Sequence, residues 1–140
     1  MSTLINDTIL AALDNLELKY DHEGQLTTFM VTGHSAQHRI NVIGLEDKEM
    51  LIVQAAFPVM IPEAKRPKMY KFISEFNYNR LMGLLVIDPE DGELSYRISN
   101  TVDEGAINET IVKVCVLDVL KTLDDNHDAI MEALYAPDRD

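Results

Sequence analysis

The sequence predicts an α+β fold in which helices pack on an antiparallel β-sheet, in the order α-β-β-β-β-α-β-β-α. Three observations lead to this prediction. Apolar residues recur with helical spacing near the start, the middle and the end of the chain. Between the first two of these stretches, turn-like clusters about 11 or 12 residues apart separate short apolar runs, which suits consecutive antiparallel strands. Two further runs flank the acidic hexapeptide DPEDGE.

The first helix and the first four strands follow from the spacing of apolar residues. Over Thr3 to Leu16, the apolar side chains of Ile5, Ile9 and Leu13 fall on one helical face. Four strand-like runs follow, LELKYD, LTTFMVT, HRINVIG and MLIVQAAFPV. The part LIVQAAF of the last run is almost continuously apolar, which predicts a central strand that is buried on both faces.

Two prolines mark the start of a second helix, because proline is tolerated in the first turn of a helix and not deeper. These are Pro62 and Pro67, and the pattern that follows ends near Tyr78 or Asn79. The next strands are LLVID and LSYRI. In the second of them apolar and polar residues alternate, so we expect Leu94, Tyr96 and Ile98 to be buried and Ser95, Arg97 and Ser99 to be exposed.

The segment DPEDGE between these strands is predicted to be a turn. If Gly92 held position 6 of an EF-hand calcium loop, Ile87, Pro89 and Ile98 would fall on ligand positions, and they cannot bind calcium. In a hairpin the same residues have ordinary roles: Pro89 fixes φ, Asp88 caps the turn and Gly92 takes a left-handed conformation. We therefore predict no metal at this segment.

The last helical pattern begins at Ile107 and is predicted to break near Asp124–Asn126. One unbroken helix to Leu134 would be about 42 Å long, whereas a compact domain of this size has a radius of gyration of about 14 Å. The residues Asp124 to Asn126 can cap a new helix, HDAIMEALY.

Composition predicts one cytoplasmic domain over residues 1–140. A chain of 140 residues that is 46% hydrophobic can fill one core without disulfides or a metal. We find no apolar run long enough to span a bilayer and no signal-peptide pattern at the start, so we expect neither membrane insertion nor export. The single cysteine, Cys115, lies in an apolar run and is predicted to be a buried, unreactive thiol.

The net charge of −12 argues against nucleic acid as a partner, because phosphate contacts supply most of that affinity. One stretch, Ile61 to Arg80, is basic instead, with five cations against two acids. Four of these cations are candidate partner-binding residues, Lys65, Arg66, Lys68 and Lys71. They can form a solvated helix face, bind an acidic partner, or contact the protein's own acidic end, since Asp118 to Asp140 holds seven acids.

The chain shows no catalytic or cofactor-binding motif. It contains no GxGxxG, phosphate loop, GxSxG or HExxH. The four histidines are dispersed, and although His34 and His38 are four residues apart, GHSAQH has the composition of a turn, which predicts surface histidines and no metal site. We expect no cofactor and no enzymatic activity.

The stretch VMIPEAKRPKMYKFISEFNYNRLMGLLVIDPEDGELSYRIS, residues 59 to 99, resembles the YbjN-type domain, a family described as bacterial sensory transduction regulators. That family has a proline-led helix with an asparagine near its end, a glycine that opens the next strand, and a D-x-x-D/N-G-E hairpin followed by a strand with tyrosine or arginine. The matching residues here are Pro62, Asn77, Gly83, Asp88, Asp91, Gly92, Glu93, Tyr96 and Arg97. Pro67 departs from the family pattern and predicts a delayed helix start.

The resemblance implies the fold of type III secretion chaperones, which are small, acidic, usually dimeric, and hold partner segments by apolar patches and strand addition. We therefore expect a non-catalytic protein-binding module with a regulatory or chaperone-like role. A homodimer is predicted because IVKVCVLDVLKTL is apolar on more than one helical face. The alternative is a small-molecule sensor or enzyme with a pocket between the sheet and the last helix, which a buried Arg97 would favour.

Overall fold

The computed structural model describes residues 3–103 and 106–137. Within these residues there are six strands and four helices, and a 3-10 turn at Glu63–Lys65 precedes the second helix. The elements are α1 (Leu4–Asn15), β1 (Asp21–Glu23), β2 (Leu26–Thr32), β3 (Gln37–Leu45), β4 (Met50–Ala56), α2 (Arg66–Tyr78), β5 (Leu84–Ile87), β6 (Leu94–Thr101), α3 (Glu109–Asp125) and α4 (His127–Tyr135). The predicted fold class and the predicted order of elements are confirmed.

The strands form one antiparallel sheet in the order β1-β2-β3-β4-β6-β5. The first four strands pair in chain order, and β6 then lies between β4 and β5. The short strands β1 and β5 therefore form the two edges of the sheet.

The helices cover one face of this sheet. Helices α1 and α3 pack on its central strands, and α2 packs on β5 with α4 beside it. In β4 the helix-facing residues Leu51, Val53 and Ala55 are fully buried, whereas Ile52 and Gln54 on the other face are partly exposed. The prediction that this strand is buried on both faces is wrong, because an antiparallel sheet can leave one face in water.

The alternation predicted for β6 is largely confirmed. Leu94, Tyr96 and Ile98 are buried on the helix-facing side, and Arg97 is exposed on the open side. Ser95 is the exception, since it is buried rather than exposed.

The predicted helix break is confirmed at Asn126, which separates α3 from α4. Its side-chain Nδ2 donates to the carbonyl of Thr122 at 2.8 Å, which satisfies a carbonyl in the last turn of α3. At the other end of α3 the side chain of Asn108 accepts a hydrogen bond from the backbone N–H of Ile111 at 2.9 Å. This cap sets the start of α3 at Glu109, two residues after the predicted Ile107.

The predicted strand LELKYD is mostly absent. Leu16 ends α1 instead, and the backbone N–H of Leu18 donates back to the carbonyl of Leu13 at 3.1 Å. Strand β1 begins only at Asp21. Within residues 3–103 and 106–137, no helix is both long and apolar enough to cross a membrane.

Candidate protein-binding site

A groove of about 590 Å³ lies between the end of β2 and the outer side of α3. Thr32 and Gly33 form one side of this β2–α3 groove, and Leu117, Leu120 and Lys121 form much of the other. Leu117 is a large apolar residue of α3, yet its side chain is 54% exposed. The groove can therefore accept an apolar side chain from another molecule.

Backbone hydrogen bonds at the two ends of β2 show which of its residues bond to β3. The N–H of Gly44 donates to the carbonyl of Gln25 at 3.1 Å, and the N–H of Gly33 donates to the carbonyl of Ala36 at 2.9 Å. In an antiparallel pair, alternate residues direct both backbone groups to the same neighbour. Odd-numbered residues of β2 thus bond to β3, and even-numbered residues direct their backbone groups to the other side.

Strand β1 occupies only part of that other side. Its last pair with β2 joins Asp21 to Thr28. Met30 and Thr32 consequently direct their N–H and C=O groups outward, with no strand beside them in the part of the chain that the structure describes. This free edge adjoins the β2–α3 groove, because Thr32 belongs to both. A free strand edge beside an apolar groove is a template for an added strand.

Asp124 at the end of α3 fixes the turn that forms one wall of the groove. Its carboxylate accepts hydrogen bonds from the backbone N–H groups of His34 and Ser35, both at 2.9 Å, and lies 3.0 Å from Nε2 of His38. A Cβ at position 33 would overlap this carboxylate, so any residue other than glycine there would displace the side chain of Asp124. The hydrogen bonds from His38 and the backbone of Ser35 hold the pKa of Asp124 well below its usual range.

The structure places His38 differently from the sequence prediction. It is 1% exposed, so the predicted surface position is wrong for this residue, whereas His34 is exposed as predicted. The reason is that His38 lies on the helix-facing side of β3, where Asp124 supplies a partner. Its Nδ1 is buried and has no hydrogen-bond partner among the residues that the structure describes. Among residues 3–103 and 106–137, no cluster of three or more histidine, cysteine or acidic side chains could hold a metal ion.

At the opposite edge of the sheet, a side chain pairs with one residue of β5. The N–H of Leu85 donates to Oδ1 of Asn77 at 2.8 Å, and Nδ2 of Asn77 donates to the carbonyl of Leu85 at 3.0 Å. The N–H of Asp88 donates to the carbonyl of Glu93, which shows that Asp88 bonds to β6. Because alternate residues of an antiparallel strand bond to the same neighbour, the backbone N–H and C=O of Leu85 point away from β6. The amide of Asn77 thus makes both bonds that a neighbouring strand would make there.

The hexapeptide DPEDGE forms the predicted hairpin between β5 and β6. Gly92 has φ +82°, and its N–H donates to the carbonyl of Asp88 at 2.9 Å. The carboxylates of Asp88 and Asp91 accept hydrogen bonds from the backbone N–H groups of Glu90 and Glu93, both at 2.8 Å. These acids therefore cap the turn.

Three of the four candidate cations contact the protein itself. The ammonium of Lys65 donates to the carbonyl of Leu134 at 2.9 Å, and that of Lys68 donates to the carbonyl of Ala136, both at the end of α4. The guanidinium of Arg66 donates to the carbonyls of Ile61 and Pro89. Lys71 is exposed. The last acids of the chain, Asp138 and Asp140, lie outside the described residues.

The remaining family-pattern residues lie around Tyr96. Gly83 packs against the ring of Tyr96, where a Cβ would overlap it, and its N–H donates to the tyrosine hydroxyl at 3.1 Å. That hydroxyl donates to Oδ2 of Asp118 at 2.8 Å. Burial and the hydrogen bond to Asp118 raise the pKa of Tyr96. Pro62 precedes the 3-10 turn, and α2 begins only at Arg66, so the helix start is delayed as predicted.

Two other predictions concern reactivity and small-molecule binding. Cys115 is 1% exposed, and burial raises the pKa of its thiol, so the predicted buried thiol is confirmed. Arg97 lies on the open face of the sheet, in a depression shared with Gln54 and Pro89. This position on the solvent side weighs against the sensor or enzyme hypothesis, which requires Arg97 to face a pocket under the last helix.

Sequence reasoning missed the residues that form the β2–α3 groove. The apolar surplus of α3 was visible in the sequence and was interpreted as a dimer contact, but the structure places Leu117 and Leu120 beside β2. The backbone N–H and C=O groups of Met30 and Thr32 are unpaired because β1 is too short to reach them. No local pattern in the sequence encodes the length of β1.

The fold and this site define an antiparallel α+β protein in which, within the described residues, part of strand β2 has no paired neighbour on its outer side. The chain belongs to the YbjN family, whose pattern matches residues 6–132 and whose description is "Putative bacterial sensory transduction regulator".

Two solved structures share the fold. The crystal structure of YbjN from E. coli has a TM-score of 0.64 at 14% sequence identity, with 91% of this chain and 90% of that chain covered. A chain of the ExsC–ExsE complex has a TM-score of 0.68 at 13% identity, with 98% of both chains covered. Among curated proteins, no relative matches this chain. At these identities the likeness shows the fold alone.

Proposed function

We propose that this chain is a non-catalytic protein-binding module of the bacterial cytoplasm, with a regulatory or chaperone-like role. It binds an extended segment of a partner protein as an additional strand on β2. The observation that carries this proposal is the free edge at Met30 and Thr32 beside the apolar β2–α3 groove.

The geometry limits what this edge can bind. Because β1 pairs as far as Thr28, an added strand has only Met30 and Thr32 to bond, which gives a short ladder. Side chains of the added strand alternate between the two faces of the sheet. The residue opposite Val31, which is half-buried on the helix-facing side, points towards the β2–α3 groove. The proposed ligand is therefore a short extended segment with one large apolar side chain.

Support for partner binding also comes from a protein with the same fold. ExsC is crystallised in a complex with ExsE, so this fold accommodates a protein partner. The cations Lys65, Arg66, Lys68 and Lys71 remain a second, proposed contact surface. The hydrogen bonds that Lys65 and Arg66 make to the protein end on neutral backbone carbonyls, and those acceptors carry no formal charge.

Homodimerisation also remains part of the proposal. The sequence predicted it from the apolar surplus of α3, and Val114 and Leu117 on that helix are indeed about half exposed, at 47% and 54%. If Leu117 receives a partner side chain, however, it is not available for contact with a second copy at the same time.

The test compares two substitutions on α3. Leu117→Asp places a charge in the β2–α3 groove, whereas Val114→Asp changes a similarly exposed residue on the same helix outside it. We expect Leu117→Asp to lose the co-purifying partner, measured by quantitative mass spectrometry, and Val114→Asp to keep it. Charge reversal of the four cations tests the second surface in the same way.

Amide hydrogen exchange then locates the bound segment. In the free protein the amides of Met30 and Thr32 should exchange rapidly, because no described residue accepts a hydrogen bond from them. In the complex both should become protected, since an added strand supplies carbonyl acceptors. Unchanged exchange at these two amides in a saturated complex would contradict strand addition, even if a partner is bound elsewhere.

A further inference from the structure

A depression of about 500 Å³ lies on the open face of the sheet, beside the hairpin that joins β5 to β6. We call it the Arg97 depression. Arg97 of β6 and its cross-strand partner Gln54 of β4 lie at one end, and Glu90 and Glu93 of the DPEDGE turn lie at the other. Ser95 lies between the two ends on β6. The volume is within the range of small-molecule sites.

Three polar side chains of the Arg97 depression have no partner within the described residues. The guanidinium of Arg97, the amide of Gln54 and the hydroxyl of Ser95 make no hydrogen bond or ion pair there. Ser95 is only 9% exposed, although it lies on the open side of β6, and its Oγ is not fully enclosed. A polar side chain that is mostly buried normally has a partner. The depression therefore presents donors and acceptors that the described part of the protein does not use.

The acids at the other end differ from those that shape the turn. Asp88 and Asp91 use their carboxylates to cap the turn, as described above. The side chains of Glu90 and Glu93 are exposed and make no hydrogen bond with any described residue. In the described part of the chain, no ion pair joins either of them to Arg97. The Arg97 depression thus has an unpaired cation at one end and two unpaired carboxylates at the other.

We propose that the Arg97 depression binds a small zwitterion, namely a free amino acid or a dipeptide with an apolar side chain. The guanidinium of Arg97 can donate two parallel hydrogen bonds to the carboxylate of such a ligand. The carboxylates of Glu90 and Glu93 accept hydrogen bonds from its ammonium group. The amide of Gln54 and the hydroxyl of Ser95 can each donate to the ligand and accept from it.

The surroundings also select the net charge and the apolar part of the ligand. Val86 and Pro89 add apolar surface to the depression, which suits an apolar side chain. A ligand with only a carboxylate would be repelled by the turn acids and by the net charge of −12, whereas a zwitterion is neutral overall. A ligand with only an ammonium group would leave Arg97 without a partner.

This site is separate from the surfaces proposed above for protein partners. Strands β3 and β4 lie between β6 and β2, so the Arg97 depression does not adjoin the β2–α3 groove. It also differs from the pocket between the sheet and the last helix that the sequence suggested, because it lies on the face that the helices leave open. Small-molecule binding here is a further activity and does not depend on partner binding.

The experiment is an NMR titration of the full chain with two probes, L-leucine and the dipeptide Leu-Leu. We expect at least one probe to shift the amide signals of Val86 and Ser95 saturably, with a dissociation constant on the order of 1 mM. The tighter probe then identifies the size of the ligand. Its C-terminal amide lacks the carboxylate and its N-acetyl derivative lacks the ammonium, so each should bind at least about tenfold more weakly.

Arg97→Gln is the test variant and Arg39→Gln is the matched control. Both arginines are exposed on the open face and have no partner within the described residues, but Arg39 belongs to β3 and lies outside the depression. Neither substitution removes a hydrogen bond of the described structure, so both melting temperatures should stay unchanged. We expect the dissociation constant of the tighter probe to rise at least about tenfold in Arg97→Gln and to stay within about twofold in Arg39→Gln.

Three results would overturn the zwitterion site: no saturable shift at Val86 and Ser95 with either probe, undiminished binding of the amide or the N-acetyl derivative, or equal losses of affinity in the two arginine variants. The last result would indicate a general electrostatic effect of the open face. Failure of partner binding is a separate outcome, because it is measured by exchange at Met30 and Thr32 in the complex.

Discussion

The two edges of the sheet are treated in opposite ways. On β5 the amide of Asn77 makes both backbone bonds of Leu85, at 2.8 and 3.0 Å. On β2 the outward groups of Met30 and Thr32 have no strand beside them within the described residues, because β1 ends its pairing at Thr28. An unpaired edge invites association with other chains, and proteins usually cover it.

The difference shows that edge protection in this chain is local. Asn77 pairs with Leu85 of β5, whereas within the described residues no side chain does so for Met30 or Thr32 of β2. The apolar groove beside these two residues makes this part of the edge suited to an added strand. The following substitutions test how each edge is held.

The largest effect is expected at the hairpin that joins β5 to β6. A Cβ at Gly92 would lie 2.2 Å from the carbonyl oxygen of Ile61, and the residue has φ +82°. Gly92→Ala therefore combines backbone strain with a steric overlap and should lower the free energy of unfolding by about 4 kcal/mol, measured by urea denaturation. Gly24, in the hairpin of the other edge, has φ +62° with no atom within 4 Å, so Gly24→Ala should cost only about 1 kcal/mol. Equal losses for the two variants would show that the contact with Ile61 is unimportant.

A smaller effect is expected when Asn77 no longer pairs with Leu85. Asn77→Ala leaves the N–H and C=O of Leu85 without partners and should lower the free energy of unfolding by about 2 kcal/mol. The variant should also self-associate more strongly with rising concentration, because β5 gains free backbone groups. The control is Asn41→Ala on the open face, where one bond from Thr28 at 2.9 Å is lost, at a cost of about 0.5 kcal/mol. If Asn77→Ala is no less stable than Asn41→Ala, the amide does not hold the edge.

The smallest effect concerns the turn beside the open edge and depends on pH. The folded state lowers the pKa of Asp124, so at acidic pH the unfolded chain binds the proton more readily. Stability from this carboxylate is complete above its unfolded pKa of about 3.9 and is lost as the pH falls below that value towards the folded pKa. Below about pH 4, the unfolding free energy of Asp124→Asn should therefore fall less steeply with decreasing pH than that of the wild type. The difference in slope corresponds to at most about one proton bound on unfolding. The control is Asp125→Asn, because the exposed side chain of Asp125 has no hydrogen bond in the described part of the chain. A change in slope of similar size in both variants would contradict the role of Asp124.

Much of the fold could be predicted because local patterns determine it. The run LTTFMVT matches β2, the polar residues Asp124 to Asn126 mark the helix break, and the glycine and proline of DPEDGE specify the hairpin. Each of these sequence patterns lies within the structural element that it predicts. The burial of Ile52 was mispredicted because it depends on whether a helix covers the open face, which the residues of β4 do not encode.

The candidate site could not be predicted for the same reason. Asn77 was recognised as part of a family pattern, but its bonds to Leu85 span eight residues and exist only when β5 lies beside α2. Asp124 was expected to cap a new helix, and it binds the turn at His34 and Ser35 instead, about 90 residues away in the chain. Contacts between residues so far apart leave no periodic signal in the sequence.

The β2–α3 groove has one more consequence. In the homodimer proposed above each copy would carry its own groove beside the open edge of β2, so a dimer whose contact leaves Leu117 free would present two grooves. A partner chain with two suitable segments would be held at both ends, since binding of the first segment raises the effective concentration of the second. Such bivalence can strengthen binding about 10²- to 10⁴-fold without any new contact, provided that the linker between the segments spans the dimer.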